Sequence, residues 1–154
     1  MKVIFLDIDG ILNSQDFVNE LGKSWNGSQL DKKAIDQLNQ ITESTGAKIV
    51  ISSTWRILYS FEELTNLLKK EGVKAEIIDV TPCLNDSRQT EILCWLEANR
   101  FKFNIKNFIV LDDNRIEGFR EELNSEFKTK FVKTTWKNGL LDKHVAYAIS
   151  VLNS

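Results

Sequence analysis

Proline, histidine and cysteine are scarce in this sequence. Its 154 residues include one proline, Pro82, one histidine, His144, and two cysteines, Cys83 and Cys94. With one proline and seven glycines there is no Gly/Ser/Pro-rich linker, repeat or low-complexity tract, so a single domain over residues 1–154 is expected. Two isolated cysteines exclude a disulfide framework, and their spacing does not suit a zinc knuckle. They fit a reducing compartment and no disulfide-linked partner. An excess of one charge is also missing: 20 basic residues face 22 acidic ones, for a net charge of −2. That balance provides no global attraction to nucleic acid or to an anionic membrane. No run approaches the ~18 apolar residues of a membrane span. Met1 to Leu6 lead straight into an acidic motif, unlike a secretory signal. A cytoplasmic protein with no membrane partner is expected.

What is present is an ordinary soluble composition, 42% apolar and 27% charged. A chain of this length can bury roughly 70% of the surface its unfolded form exposes, enough for a core without staples. Short apolar runs alternate with amphipathic stretches. Val3 to Leu6 is a continuous run, as suits a strand buried on both faces of a parallel sheet. Similar runs stand at Lys48–Ile51, Ala75–Ile78 and Asn107–Leu111, with a weaker one at Lys130–Lys133. Between them, Leu30, Ala34, Ile35, Leu38 and Ile41 recur at helical spacing before Gly46. Ser60 and Glu63 form a capping-box pattern for a helix closed by Gly72, and Asp86 or Ser87 can cap one carrying Ile92, Trp95 and Leu96. A shorter helix is expected over Ile116 to Leu123, and an amphipathic one over Leu141 to Leu152. Strand and helix alternate throughout. The prediction is a doubly wound, Rossmann-like three-layer α/β/α fold on a five-stranded parallel sheet.

Ligands of such sheets bind outside the carboxyl ends of the strands. After the first run come Asp7, Ile8, Asp9 and Gly10; after the second, Ser52, Ser53, Thr54, Trp55 and Arg56; after the fourth, Asp112, Asp113 and Asn114. Four carboxylates brought to one cleft repel each other, and a hard cation relieves that repulsion. Magnesium, which favours one or two carboxylates, waters and a phosphate oxygen, suits the set Asp7, Asp9, Asp112 and Asp113. Asp7 is placed to attack phosphorus as a nucleophile and Asp9, two residues on, to act as general acid and base. Gly10 lets the chain turn away. Ser52 offers a hydroxyl and a backbone donor to phosphate. Arg88 is the expected phosphate-binding cation, with Arg56 and Lys133 as alternatives.

At these residues the chain resembles the haloacid dehalogenase superfamily. Phe5-Leu6-Asp7-Ile8-Asp9-Gly10-Ile11-Leu12-Asn13 looks like its first motif, Ile49-Val50-Ile51-Ser52 its second, Arg88 its third, and Phe108-Ile109-Val110-Leu111-Asp112-Asp113 its fourth. The resemblance implies Asp7 as nucleophile and Asp9 as acid/base, with Asp7, the Asp9 carbonyl and Asp112 around magnesium. The combination Asp-Gly-Ile-Leu-Asn, Ser-Ser-Thr-Trp-Arg and Arg88-x-x-Glu91-Ile92-x-x-Trp95-Leu96 is similar to small stand-alone members, including the domain of composite Swiss Army Knife RNA-repair proteins. Members often carry a cap domain over the site. Here the intervals from Asp9 to Ser52 and from Arg56 to Arg88 are filled by expected helices and strands, so no full cap fits. Residues 13–29 are a candidate small flap, with Gly22 and Gly27 as hinges and Trp25 as a substrate contact.

The resulting expectation is a magnesium-dependent phosphomonoesterase working through an aspartyl-phosphate. By analogy its substrate is first an RNA or DNA end or a nucleotide, then a phosphoprotein, then a sugar phosphate. Trp55 and Arg56 are candidates to stack on a base, against a packed Trp and an ion-paired Arg. Ser53 is one step from Ser52 and is a second phosphate contact. Asn13 either binds substrate or caps the helix beginning at Ser14. Trp95 reads as core, His144 as a surface residue, and Lys69, Lys70, Lys102, Lys106, Lys128 and Lys130 as solvated faces. Trp136 lies near the working edge of the sheet with no assigned role. The rivals are a receiver-type signalling module, whose acids and phosphoacceptor follow different strands from those seen here, and a catalytically quiet phosphate-binding domain.

Overall fold

The computed structural model describes residues 1–113 and 125–154. The expected helix over Ile116 to Leu123 and the position of Asn114 lie outside them. Five strands, β1 (Lys2–Leu6), β2 (Lys48–Ile51), β3 (Ile77–Val80), β4 (Asn107–Asp112) and β5 (Phe131–Lys133), form one parallel sheet in the order β3-β2-β1-β4-β5. The helices are α1 (Gln15–Leu21), α2 (Lys32–Thr45), α3 (Trp55–Leu58), α4 (Phe61–Glu71), α5 (Arg88–Asn99), α6 (Ser125–Lys128) and α7 (Asp142–Asn153). This is the expected α/β architecture, and no separate cap stands among the described residues. No described helix is long and apolar enough to cross a membrane.

The period of two in the central strands divides the core into two layers. Ile4 and Leu6 of β1, Ile49 and Ile51 of β2, and Ile109 and Leu111 of β4 join Ile35 and Leu38 of α2, Leu64 and Leu68 of α4, and Val145 and Leu152 of α7. The alternate residues Val3, Phe5, Val50, Phe108 and Val110 join Ile92, Trp95 and Leu96 of α5 and Phe127 of α6. Trp95 is core, edge-on to Phe5 and stacked on Phe103, with its indole N–H donated to Asp79 at 2.7 Å. Helix starts follow the sequence closely. Asp31 caps α2, Ser60 and Glu63 close a capping box on α4, and Ser87 caps α5.

β3 lies two residues beyond the expected Ala75–Ile78 run. It is an edge strand, and its register against β2 shifts between Ile49, opposite Ile77, and Val50, opposite Asp79. An acid fits within it because Asp79 accepts both the Trp95 indole and the backbone N–H of Val80. Lys130 departs from the solvated face expected for it: it is half-buried, lies 4.4 Å over the Phe108 ring and donates to Asn107. His144 is half-buried and accepts the Leu141 N–H at the start of α7. Both cysteines are free and exposed.

At the carboxyl edge the ladder runs one residue past β1, β2, β3 and β5. Ser52 N–H donates to Leu6, Asp7 to Leu111, Thr81 to Ile51 and Thr134 to Asp112. The chain runs outward from β1 through β2 to β3, then returns to place β4 on the other side of β1. The crevice between the ends of β1 and β4 is the topological switch point, where ligands of such sheets bind.

Candidate active site

Asp7 opens this crevice as the first residue past β1. Its Oδ1 accepts the N–H of Ile8 at 2.8 Å, and the Ser53 hydroxyl also bonds its carboxyl. The loop after it folds back through Leu12 N–H to Ile8 O and Gly10 N–H to Asn13 O, burying Ile8, Ile11 and Leu12. Gly10 holds φ at +75°, and a Cβ built there would stand 2.1 Å from Oδ2 of Asp113. Both the left-handed turn and the close approach therefore require glycine. The Thr134 hydroxyl, just past β5, donates to Gly10 O at 2.7 Å and fixes the turn from the opposite side.

Asp112 ends β4 and Asp113 follows it. With Asp7 they bring carboxylate oxygens within 4.8 Å of one another, all three residues buried. Burial, and then the charge of Asp112, push the Asp7 carboxyl up to about 7 from its ordinary 3.8. Arg88 offsets part of this. It is the first residue of α5, its Nη1 donates to the carbonyl of Ser52, and its Nε lies 3.8 Å from Asp112 Oδ2. Three converging carboxylates are a donor set of hard oxygens. That set fits a divalent cation such as magnesium.

Asp9 stands apart from that cluster. Its Oδ1 accepts Nδ2 of Asn13 at 2.8 Å and its Oδ2 accepts Nε1 of Trp55 at 3.0 Å. Its carboxylate, expected among the four around magnesium, is therefore not one of the three converging groups; the resemblance implied only its carbonyl toward the ion. Asn13 is 1% exposed, and its other amide atom accepts Gly10 N–H. It does not cap α1, a role taken by the Ser14 hydroxyl. Trp55 is 5% exposed with its ring against Tyr59, so its face is not offered to a base. Arg56 is also inside. It pairs with Glu91, both side chains 6% exposed, and donates to the carbonyls of Ser53 and Pro82. Glu91 in turn accepts Leu84 N–H. Arg56 thus ties the loops after β2 and β3 to α5 instead of stacking on a substrate.

Of the three cations considered for phosphate, Arg88 is the one beside Asp112, whereas Lys133 is exposed at the end of β5. Both serines are buried. The Ser52 hydroxyl accepts from Thr81 at 3.4 Å, while the Ser53 hydroxyl is the one on Asp7. Within residues 13–29 lie α1 and a short 3-10 turn, Gly22–Ser24, with Trp25 half-buried edge-on to Phe17. Thr81 and Thr134 escaped sequence reasoning although each is the first residue past a strand. Thr81 was hidden by the displaced β3, and Thr134 by the weakness of the β5 run. The backbone O of Trp136 accepts Gln15 N–H and so docks the loop after β5 on α1.

The family model described as the HAD domain in Swiss Army Knife RNA repair proteins matches residues 3–145, which include every acid and arginine of the crevice. No curated protein and no solved structure matches the sequence. The match runs from the first residues of β1 to the first turn of α7, so the chain belongs to the HAD domain family of Swiss Army Knife RNA repair proteins, a phosphatase-type hydrolase family.

Proposed function

We propose that this chain is a magnesium-dependent phosphomonoesterase acting through an aspartyl-phosphate on Asp7. The observation that carries the reading is the convergence of Asp7, Asp112 and Asp113 within 4.8 Å, with Arg88 at their edge. Asp7, Asp112 and Asp113 would hold the ion, which when bound offsets the negative charge shared by the carboxylates and a phosphate. Arg88 binds non-bridging phosphate oxygens. A carboxylate oxygen of Asp7 forms a bond to phosphorus as the bond to the leaving oxygen breaks, and Asp9 donates a proton to that oxygen. Water then attacks the phosphorus of the aspartyl-phosphate, its proton passes to Asp9, and inorganic phosphate leaves with Asp7 regenerated.

The preferred substrate is the terminal phosphate of an RNA or DNA strand, or a nucleotide. Two observations support this: the family is described by RNA repair, and no cap domain among the described residues restricts substrate size. Phosphopeptides and sugar phosphates are the competing classes. The test is a magnesium-supported phosphatase screen over 3′- and 5′-phosphorylated RNA and DNA, nucleotides, phosphopeptides and sugar phosphates. Asp7→Asn should abolish turnover on every substrate, and Asp9→Asn should cost roughly 10²–10⁴-fold. An Asp7→Asn protein hydrolysing an aryl phosphate at the wild-type rate would overturn the mechanism, and greater activity on sugar phosphates than on strand ends would overturn the substrate class.

A further inference from the structure

Asp9 has one fixed donor on each carboxylate oxygen, and the donors come from different parts of the chain. Asn13 Nδ2 reaches Oδ1 from the same loop at 2.8 Å, and Trp55 Nε1 reaches Oδ2 from the start of α3 at 3.0 Å. The Asn13 amide is itself oriented, since its Oδ1 accepts Gly10 N–H at 3.2 Å and leaves Nδ2 facing Asp9. Trp55 is oriented as well: its ring is buried against Tyr59 and its backbone N–H points to the Ser53 hydroxyl. A carboxylate offers about four acceptor positions. Two are occupied here, and the half-buried Asp9 keeps the others for a substrate oxygen or water.

We propose that Trp55 and Asn13 are positioning residues that clamp the Asp9 carboxylate for proton delivery to the leaving oxygen. The proposal rests on the reading of Asp9 as general acid. Without the clamp, Asp9 is free to rotate about its two side-chain bonds, and a small displacement of a proton donor is costly in rate. A buried tryptophan that only packed would need no polar partner on Asp9, and one that stacked on a base would need an open ring face. The indole N–H on the carboxylate distinguishes this site from both. The Trp55–Asp9 bond also joins the loop after β2 to the loop after β1, so the acid is set by two strands of the sheet rather than by its own loop alone.

Leaving-group basicity separates positioning from structural support. A dinitrophenolate departs without a proton, whereas an alkoxide needs one. Trp55→Phe removes the indole N–H and keeps a smaller aromatic ring in the buried site, and Asn13→Ala removes the other donor, together with an acceptor of Gly10 N–H, should the first variant fail to fold. The measurement is kcat/KM with magnesium across dinitrophenyl, nitrophenyl, phenyl and alkyl phosphates for wild type, each variant and Asp9→Asn. Trp55→Phe should lose about tenfold or more on the alkyl ester while changing little on the dinitrophenyl ester, and Asp9→Asn should show a steeper dependence of the same sign. The magnesium midpoint of Trp55→Phe should be unchanged, because the indole N–H serves Asp9, which is not among the three converging acids. A uniform loss across the series, or a raised KM confined to base-containing substrates, would overturn the clamp while leaving Asp9 as the acid. A flat series for Asp9→Asn would instead overturn the acid assignment itself.

Discussion

At the scale of single residues, the tightest requirement falls on Gly10. Its φ of +75° is a conformation that side chains rarely adopt, and the space a methyl group would take is held by the carboxylate of Asp113. Substitution by alanine must therefore either move the turn, which Thr134 and Asn13 hold by hydrogen bonds, or push Asp113 away from Asp7 and Asp112. Gly10→Ala should cost on the order of 1–3 kcal/mol from backbone strain. It should also weaken magnesium binding by tenfold or more, read by a metal titration alongside a thermal melt. Unchanged metal affinity in a destabilised protein would mean that the turn yields and Asp113 keeps its place. The acids themselves were legible in the sequence, because each directly follows an apolar run and the strand ends converge. The partners of Trp55 and Arg56 were not. Trp55 bonds a residue 46 positions away and Arg56 one 35 positions away, and spacing along the chain carries no information about such contacts. Both residue types also suit base stacking, so chemistry alone pointed outward while burial turned them inward.

At the scale of elements, local chemistry sets where the helices begin, and one of those starts can be tested in isolation. The Ser60 hydroxyl accepts Glu63 N–H at 3.2 Å, and the Glu63 carboxylate returns a bond to Ser60 N–H at 2.7 Å. Ser60→Ala should cost about 1 kcal/mol, the usual value for a lost N-cap. For a domain near this size that lowers Tm by about 2–4 °C. The hydrogen bonds from Ser60 hold the Glu63 carboxyl below its ordinary value, so this contribution is present at neutral pH and is lost as pH falls through that lowered value. The Ser60 hydroxyl on Glu63 N–H does not titrate, so the pH-dependent part belongs to the Glu63 carboxylate on Ser60 N–H: the Tm difference between Glu63→Gln and wild type should narrow in acid, and a constant difference would remove that bond from the cap. Caps of this kind, and the apolar runs of β1, β2 and β4, made most of the elements readable, since each is decided by neighbours in sequence. β3 was displaced because its position is decided by pairing with β2 and by Asp79 meeting Trp95, both contacts distant along the chain. The weak β5 run has the same origin: at the sheet edge only Val132 of its three residues is fully buried.

At the scale of the whole molecule, the sheet concentrates acidic side chains at one point of its carboxyl edge. Two central strands aim Asp7, Asp112 and Asp113 into one buried crevice, and Arg88 is a positive group beside Asp112. In the metal-free protein the folded state therefore binds a proton at Asp7 more tightly than the unfolded chain does, with the carboxyl raised from 3.8 to about 7. Where the folded state holds more protons, stability falls as pH rises. The metal-free protein should accordingly lose stability between about pH 4 and pH 7, and remain at the lower level above that range. Asp7→Asn removes the titration and one of the clustered charges. In chelator at pH 8 this variant should melt several degrees above wild type and show a flatter dependence of Tm on pH across the same window. Magnesium should reverse the order. An ion bound only by the folded state at a hundred times its Kd stabilises by about 2.7 kcal/mol, and wild type should gain that while Asp7→Asn gains less. Differential scanning fluorimetry of both proteins, with chelator and with magnesium from pH 4 to 8, measures all of these quantities. If Asp7→Asn lowers the metal-free Tm at pH 8, or magnesium raises both proteins equally, the crevice does not hold strained charge awaiting a cation, and the three acids are a structural cluster instead.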